Sequence, residues 1–317
     1  MARALIAPQY GGPEVLEVVD VPDVAPAGHE VVIDVRASGV NPIDAKIASG
    51  LRGGADPSRL PLRLGYEASG VVAAIGAEGV TGADGLPLAV GDEVVAFRIH
   101  GAHASRVTVP AADVLHKPAE LSFTQAAGVL LVGATAVHAL EKVGVGEGDT
   151  VLIHGAGGSV GKVATQLAIL RGAKVIGTAS AARADELSAL GATPVEYGPG
   201  LLDRIRVLDV TVDAAIDCIG TEEAVEVSLA LLADPGRLVT IVHGPPVQAA
   251  GGHYIGGGPG ADPGTELRDR ARGELLRLAA DGRIVVPIVA TYPLDEARAA
   301  FEHLAGGHAG GKIVLIP

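Results

Sequence analysis

Residues 150–161 read Thr-Val-Leu-Ile-His-Gly-Ala-Gly-Gly-Ser-Val-Gly, and this stretch decides the fold. Its first five residues are typical of a buried strand, its glycines of a tight turn, and its end of a helix start. Such a unit can bring a pyrophosphate against bare backbone, because glycine lacks a Cβ and a helix start offers N–H groups and a positive dipole end. We therefore predict an anion-binding turn made by Gly155, Ala156, Gly157, Gly158, Ser159, Val160 and Gly161.

The spacing of these glycines is weak evidence when taken alone. Val160 stands where the third glycine of the strict G-x-G-x-x-G pattern would fall, so the glycines follow G-x-x-G-x-x-G instead. The flanking sequence strengthens the prediction, because a strand pattern precedes the turn and a helix pattern follows it.

Composition limits the classes of protein to which the chain can belong. Its 317 residues suggest about two domains, and 48% hydrophobic with 19% charged residues is typical of a packed core. The net charge of −13 disfavours binding to nucleic acid or to an anionic membrane. A single cysteine excludes an internal disulfide, and no signal peptide or long apolar run is evident. We expect a soluble, cytoplasmic protein.

Two kinds of sequence pattern divide the chain. Residues 1–119 contain short apolar runs broken by glycine and proline, which predict a β-rich domain. Residues 285–317 show the same pattern and are assigned to the same domain. Residues 120–284 alternate strand and helix patterns, which predicts a parallel sheet covered on both faces. The expected fold class is thus α/β, with a doubly wound sheet beside a β-rich domain. Two finer expectations are a strand at Ile284–Val289 and a turn-rich stretch at 244–264.

The end of the second strand of the predicted sheet indicates which nucleotide binds. An acidic residue there would hold ribose hydroxyls, but the segment Gly177–Ser180 carries none, and Arg183 follows shortly after it. A hydroxyl at Ser180 and a guanidinium at Arg183 suit a 2′-phosphate, which predicts NADP(H) rather than NAD(H). The alternative is that Ser180 caps a helix and Arg183 is solvated.

Several short segments in order along the chain carry a resemblance to a known family: Tyr10–Leu16, Ser38–Lys46, Gly65–Gly70, Gly91–Val94, Gly133–Ala136, the glycine turn, Val212–Gly220 and Gly311–Leu315. Over essentially its whole length the chain resembles the zinc-independent quinone oxidoreductases, the zeta-crystallin-like branch of the medium-chain dehydrogenase/reductase superfamily. The resemblance implies a GroES-like substrate domain, a Rossmann domain and a cleft between them.

The resemblance also raises the question of zinc. Zinc-dependent relatives carry a cysteine ligand in the segment that is Ser38–Asp44 here, and a histidine immediately before Glu67. This chain has no cysteine before Cys218, and Tyr66 replaces the histidine. The four cysteines of a structural zinc site are likewise missing. We therefore expect no metal, and hydride transfer from NADPH to an electrophilic quinone or α,β-unsaturated carbonyl.

Four residues are candidates for catalysis by resemblance. Asn41 would donate a hydrogen bond from its side-chain amide beside the nicotinamide or the substrate carbonyl. The alternative is that Asn41-Pro42 initiates a turn. Asp44 would form hydrogen bonds within the same loop. Lys46 stands where several quinone reductases carry tyrosine and enone reductases often carry lysine, so it favours enones; the alternative is a solvated lysine. Tyr66 is a candidate acid, with core packing as the alternative.

The remaining cofactor-binding candidates lie at strand ends or match family positions: Thr135, Tyr197, Cys218, Val242, His243 and Lys312. Helix packing is an alternative for Thr135, and a structural contact for Cys218. His243 could be a plain loop residue, and Lys312 a lysine that begins a strand.

The sequence thus predicts a zinc-free NADPH-dependent reductase acting on a small hydrophobic quinone or enone. A reductase of an enoyl thioester or a biosynthetic intermediate stays open, as does a non-catalytic NADPH-binding protein. The resemblance implies a homodimer formed by edge strands, here the segment His253–Gly258, whose glycines weaken a strand.

Overall fold

The computed structural model describes residues 1–307 and 309–317, which form two compact units. The first unit comprises Met1–Leu131, Gly273–Gly282 and Val286–Pro317, and the second comprises Val132–Arg272 and Arg283–Val285. The sequence-based domain bounds, 1–119 with 285–317 and 120–284, stay a prediction.

Both helices and strands occur throughout the described chain. The strands are β1 Ala2–Ala7, β2 Glu17–Val21, β3 Glu30–Val40, β4 Leu62–Arg63, β5 Glu67–Ile75, β6 Glu93–Phe97, β7 Arg106–Pro110, β8 Val114–His116, β9 Thr150–His154, β10 Lys174–Ala179, β11 Thr193–Glu196, β12 Ala214–Asp217, β13 Leu238–Thr240, β14 His253–Tyr254, β15 Ile288–Pro293 and β16 Lys312–Ile316. The helices are α1 Pro42–Ala48, α2 Phe123–Lys142, α3 Ser159–Leu170, α4 Ala184–Ala189, α5 Leu201–Arg206, α6 Glu222–Leu231, α7 Gly244–Ala249, α8 Thr265–Ala280 and α9 Ala297–Ala305.

The second unit contains a six-stranded parallel sheet with the order β11-β10-β9-β12-β13-β14. Helix α3 connects β9 to β10, α4 connects β10 to β11, and α6 connects β12 to β13. From β9 the chain adds β10 and β11 on one side of the sheet. It then crosses back and adds β12, β13 and β14 on the other side of β9, so the direction of strand addition reverses between β9 and β12. This is the switch point at which doubly wound sheets bind nucleotides, and the predicted fold class is confirmed.

The first unit is built from two sheets whose strands pair antiparallel, apart from the parallel pair β15 and β16. One has the order β2-β1-β4, and a seven-stranded sheet follows β15-β16-β3-β5-β6-β8 with β7 paired to β3. Inward side chains of β3, β5, β6 and β7, such as Ile33 and Val94, form a core that excludes water. This is the β-rich, GroES-like arrangement that the short apolar runs predict.

Two local predictions need correction. The stretch 244–264 is turn-rich only after its first six residues, which form helix α7; Pro245 and Pro246 lie in the first helical turn, where no N–H needs a partner. The strand expected at Ile284–Val289 is β15, which begins only at Ile288. Pro287 lacks an N–H and precedes the paired segment.

One described helix, α2, is long and apolar enough to cross a membrane by length and composition. The protein buries 72% of its most apolar window, which is typical of a core helix.

Candidate functional site

The glycine turn lies between β9 and α3 in the second unit. Gly155 has a φ of 69°, a left-handed conformation that glycine adopts without strain. Its N–H donates to Thr178 Oγ1 (3.2 Å), and the N–H of Ala156 donates to the Thr178 carbonyl oxygen (2.9 Å), so β10 holds the turn. A Cβ at Gly161 would lie 2.3 Å from the carbonyl oxygen of Gly155. Gly161 therefore permits the close packing that the third glycine of the strict pattern provides, and the turn fits a pyrophosphate.

The remaining residues of the turn lie at the start of α3. Gly158 precedes the first helical residue, and Ser159 and Val160 are the first two residues of the helix. Their N–H groups belong to the positive end of the helix dipole, which attracts an anion.

A basic side chain lies over the same turn. Ser180 follows β10 and precedes a short 3₁₀ turn that ends at Arg183. A Cβ at Gly157 would be only 2.8 Å from Cδ of Arg183, so the arginine side chain packs on the glycine turn. Its Nη1 is 3.4 Å from Oε2 of Glu186. The structure thus brings Arg183 to the glycine turn, next to Ser180 in the chain.

Other predicted cofactor-binding residues follow neighbouring parallel strands. Tyr197 follows β11, Cys218 follows β12, and Val242 and His243 lie just after β13. Because the strands are parallel, these positions share the carboxyl edge of the sheet with the glycine turn. Tyr197, Val242 and His243 are exposed, and Cys218 is half-buried.

The turn after β12 is held by a buried carboxylate. Asp217 Oδ1 accepts from the N–H groups of Ile219 (2.9 Å) and Gly220 (2.8 Å), and its Oδ2 accepts from Thr240 Oγ1 (2.7 Å). Burial and the charge of Asp217 raise the pKa of the Cys218 thiol, which therefore stays protonated at neutral pH. This environment is that of a structural cysteine rather than a nucleophile.

Thr135 lies in α2 and is buried. Its Oγ1 accepts from Nη1 of Arg268 in α8 (3.4 Å), and Nε of the same arginine donates to Nδ1 of His138 (3.2 Å). Burial, and secondarily the charge of Arg268, lower the pKa of His138 to about 4, so this ring is neutral at pH 7. Thr135 thus joins the parts of α2 and α8 that belong to the second unit.

A buried charged cluster lies in the first unit, and we call Lys312, Glu67 and Asn41 the Lys312 cluster. Lys312 Nζ donates to Glu67 Oε1 (2.5 Å) and to Oδ1 of Asn41. The amide of Asn41 donates to the carbonyl oxygen of Gly39 (2.8 Å) and to Glu67 Oε1 (3.2 Å). Glu67 Oε2 accepts from the N–H of Leu131 (2.9 Å). All three side chains of the cluster are at most 2% exposed.

The sheet explains how this cluster forms. Strands β16 and β5 both pair with β3, so Lys312 and Glu67 reach the end of β3 from either side. A Cβ at Gly39 would lie 2.7 Å from Glu67 Oε1 and 2.8 Å from Lys312 Cε, so glycine is required there. The arrangement fixes the orientation of the Asn41 amide through hydrogen bonds at both its oxygen and its nitrogen.

Asp44 links helix α1 to a second buried pair. Its Oδ2 accepts from the N–H of Asn41 (2.9 Å), the hydrogen bond within the loop that the sequence predicts. The same oxygen is 3.6 Å from Nε2 of His103, whose Nδ1 lies 2.9 Å from Ser38 Oγ. The three side chains of Asp44, His103 and Ser38 have no solvent exposure. They anchor the start of α1, and with it the backbone of Asn41.

Two predicted catalytic residues lie outside these clusters. Tyr66 is half-buried, with its ring edge-on to that of His100 at 5.5 Å between centroids. Lys46 is exposed on α1.

Sequence reasoning missed three side chains of the buried clusters, namely Ser38, Glu67 and His103. It also missed the ion pair between Lys162 of α3 and Glu186 of α4, which lies beside Arg183. Glu67 carried a signal, since a carboxylate that begins the apolar run after Tyr66 needs a buried partner. His103 lies in the apolar segment Gly101–Ala104, where a histidine likewise needs a partner. Lys162 follows the glycine turn at a helix position that the amphipathic pattern left unexplained.

No group of three or more His, Cys, Asp and Glu side chains with metal-binding geometry occurs within residues 1–307 and 309–317.

Comparison with known proteins gives a consistent result. Residues 27–119 match the family described as "Alcohol dehydrogenase GroES-like domain", and residues 184–315 match "Zinc-binding dehydrogenase". The chain is 34% identical to the quinone oxidoreductase of Salmonella typhimurium over the whole of both chains. It is 30% identical to the 2-methylene-furan-3-one reductase of Solanum lycopersicum, over 97% of this chain and 77% of that one. The solved structure of Escherichia coli quinone oxidoreductase complexed with NADPH superposes with a TM-score of 0.85, at 30% identity and complete coverage of both chains.

Proposed function

Because the chain belongs to the quinone oxidoreductases of the medium-chain dehydrogenase/reductase superfamily, we propose that it is a zinc-free, NADPH-dependent reductase of quinones or α,β-unsaturated carbonyls. The observation that carries the proposal is the Lys312 cluster. Asn41 lies in the segment where zinc-dependent relatives have a cysteine ligand, and Glu67 follows Tyr66, which stands in place of a histidine ligand. The ammonium group of Lys312 pairs with the Glu67 carboxylate, which supports a site that does not need a divalent ion.

We assign NADP(H) binding to the carboxyl edge of the parallel sheet. The turn from Gly155 to Gly161 would bind the pyrophosphate, and Ser180 and Arg183 would bind the 2′-phosphate. Tyr197, Cys218, Val242 and His243 follow strands at the same edge and are further proposed contacts. The family resemblance alone adds Asn41, Thr135 and Lys312 to the proposed set. The bound dinucleotide supplies a hydride donor, which no side chain can replace.

The substrate is electrophilic by itself, so the protein has only to align it and stabilise the negative charge that forms on its oxygen. Both amide hydrogens of Asn41 are donated within the cluster, and the Lys312 ammonium is paired with Glu67, so the cluster would act on the substrate oxygen through fixed dipoles rather than through net charge. Tyr66 and the exposed Lys46 are the proposed sources of a proton. The tomato relative supports the enone branch, because its named substrate is an unsaturated ketone.

A panel of quinones, enones and enoyl thioesters tests the proposal. We expect NADPH oxidation with quinones or enones in protein shown by elemental analysis to lack zinc, and no loss of activity with a chelator. Preference for an enoyl thioester would favour the more specialised reductase. Oxidation no faster than the uncatalysed rate for every acceptor would contradict the proposal and favour a non-catalytic NADPH-binding protein.

The assignment of the 2′-phosphate has its own test in Arg183→Ala. We expect the KM for NADPH to rise about tenfold, because one charge-assisted hydrogen-bonding group is lost, while the KM for NADH stays unchanged. Arg36→Ala is the control, since Arg36 is exposed on β3 in the other unit. An equal rise for both nucleotides would refute the assignment.

A further inference from the structure

Helix α3, which begins at the glycine turn, carries a lysine that is almost completely buried. The Lys162 side chain is 6% exposed, and its Nζ lies 2.5 Å from Oε2 of Glu186 in α4. A buried ammonium is costly unless it is paired, so this contact with the half-exposed carboxylate stabilises Lys162 in its buried position.

The same carboxylate oxygen has a second cation beside it. Glu186 Oε2 is 3.4 Å from Nη1 of Arg183, and the arginine packs on the glycine turn at Gly157. Two cations therefore share one carboxylate, and the shorter contact belongs to Lys162. The Lys162 ammonium, and secondarily Arg183, lower the pKa of Glu186, which is therefore ionised at neutral pH.

An ionised carboxylate so close to Arg183 is unfavourable for binding a 2′-phosphate. It would repel the incoming dianion and neutralise the guanidinium that is proposed to bind it. The Lys162 ammonium offsets the charge of the carboxylate and so weakens both effects, and the three side chains together carry a net positive charge.

We propose that Lys162 is a specificity-determining residue for NADP(H), because by pairing with Glu186 it offsets the carboxylate charge beside Arg183, the proposed ligand of the 2′-phosphate. This inference rests on the proposed role of Arg183. Lys162 acts through Glu186 and need not touch the nucleotide. A purely structural role, in which the ion pair only ties α3 to α4, would affect every nucleotide alike.

The test measures nucleotide binding by isothermal titration calorimetry on the whole protein, with no acceptor present. The probes are NADPH and NADH, and the shorter pair 2′,5′-ADP and 5′-AMP, which also differ by the 2′-phosphate. Lys162→Met removes the ammonium and keeps an apolar side chain of similar length in the buried position. We expect the Kd values for NADPH and 2′,5′-ADP to rise about five- to tenfold, while those for NADH and 5′-AMP stay within about twofold.

A double variant separates electrostatics from packing. In Lys162→Met with Glu186→Gln the repelling carboxylate is gone as well, so we expect the Kd for NADPH to return to within about twofold of wild type. This variant also leaves no buried unpaired charge, and it serves as the test if the single variant does not fold. A double variant that binds NADPH as weakly as Lys162→Met, or a loss shared equally by NADPH and NADH, would overturn the inference.

Arg183→Ala distinguishes this inference from the proposed function. If Arg183→Ala leaves the ratio of NADPH to NADH affinity unchanged, the 2′-phosphate site itself is misassigned. If Arg183→Ala lowers that ratio and Lys162→Met does not, only the role of Lys162 is wrong.

Discussion

Lys312 is a buried cation whose partners come from distant parts of the chain. Its ammonium contacts Glu67, 245 residues away in sequence, and Asn41, 271 residues away. Removing one partner of such a pair costs more than the pair itself contributes, because the remaining charge stays buried without compensation.

We predict that Lys312→Met lowers the free energy of unfolding by about 3–5 kcal/mol, since the Glu67 carboxylate is left buried. Urea denaturation at pH 7 measures the change. Lys46→Met is the matched control, because Lys46 is exposed and should change stability by less than about 0.5 kcal/mol. Adding Glu67→Gln to Lys312→Met should recover part of the loss. A single variant as stable as the control would show that the ion pair does not matter for stability.

At the scale of single residues, the sequence indicated which side chains belong to the candidate site better than it indicated which side chains they contact. Asn41, Lys312, Ser180 and Arg183 were all singled out from sequence, but the pairing of Lys312 with Glu67 was not. A buried pair formed across three adjacent strands depends on sheet order, and no local pattern encodes that order. For the same reason the pairing of Lys162 with Glu186 was not predicted.

At the scale of elements, the glycine turn depends on how closely α3 approaches the end of β9. A Cβ at Gly161 would lie 2.3 Å from the Gly155 carbonyl oxygen and 2.7 Å from Cα of Ala156, both of which are backbone atoms that cannot rotate away. The helix would have to move, and its N-terminal N–H groups would move with it.

We predict that Gly161→Ala lowers the free energy of unfolding by about 1–3 kcal/mol, as overpacking does, and weakens binding of NADPH and NADH together. Gly273→Ala is the control, because Gly273 lies in α8 with open space around its Cα, and alanine there should stabilise the helix by up to about 1 kcal/mol. Thermal unfolding and calorimetric titration are the two measurements. Unchanged nucleotide binding in Gly161→Ala would mean that the close approach is not needed for the site.

Strands were predicted correctly where the hydrophobic runs were long. The prediction failed where the conformation depended on the backbone properties of proline. The strands at Thr150–His154 and Lys174–Ala179 lie where the apolar runs place them. Helix α7 was missed because its two prolines suggested a turn, although proline is equally suited to a first helical turn.

At the scale of the whole molecule, the edge of the six-stranded sheet bears on assembly. The outermost strand, β14, has two residues, and the carbonyl oxygen of Tyr254 and the N–H of Gly256 already bond to the backbone of Asp262 (both 2.9 Å). Fewer backbone groups are therefore available there to a partner strand.

We still propose a homodimer from the family resemblance, but one that dissociates on dilution. Light scattering across a range of concentrations should give a mass near twice the 31.7 kDa of the chain that falls as the protein is diluted. A constant monomer mass at the highest concentration would contradict the dimer, and a constant dimer mass on dilution would contradict its weakness.

Two buried histidines make the stability of the whole protein depend on pH. Burial lowers the pKa of both His138 and His154 to about 4, with the charge of Arg268 adding to the effect at His138, and carboxylates near each ring only partly oppose it. Each ring therefore stays neutral in the folded protein at a pH where it is protonated in the unfolded chain. The stabilisation is complete above pH 6.5 and is lost progressively as the pH falls towards 4.

We predict that each histidine lowers the free energy of unfolding by about 2 kcal/mol between pH 7 and pH 5, because the unfolded chain alone takes up the proton. Urea denaturation of His154→Gln should show a correspondingly smaller difference between the two pH values, since glutamine does not titrate but can still form a hydrogen bond with Ser228, the partner of His154 at 3.0 Å. His29→Gln is the control, because His29 is exposed and its loss should leave the pH dependence unchanged. If His154→Gln retained the full pH dependence of the wild type, His154 would have to be protonated in the folded protein at pH 5, and burial would not control its charge.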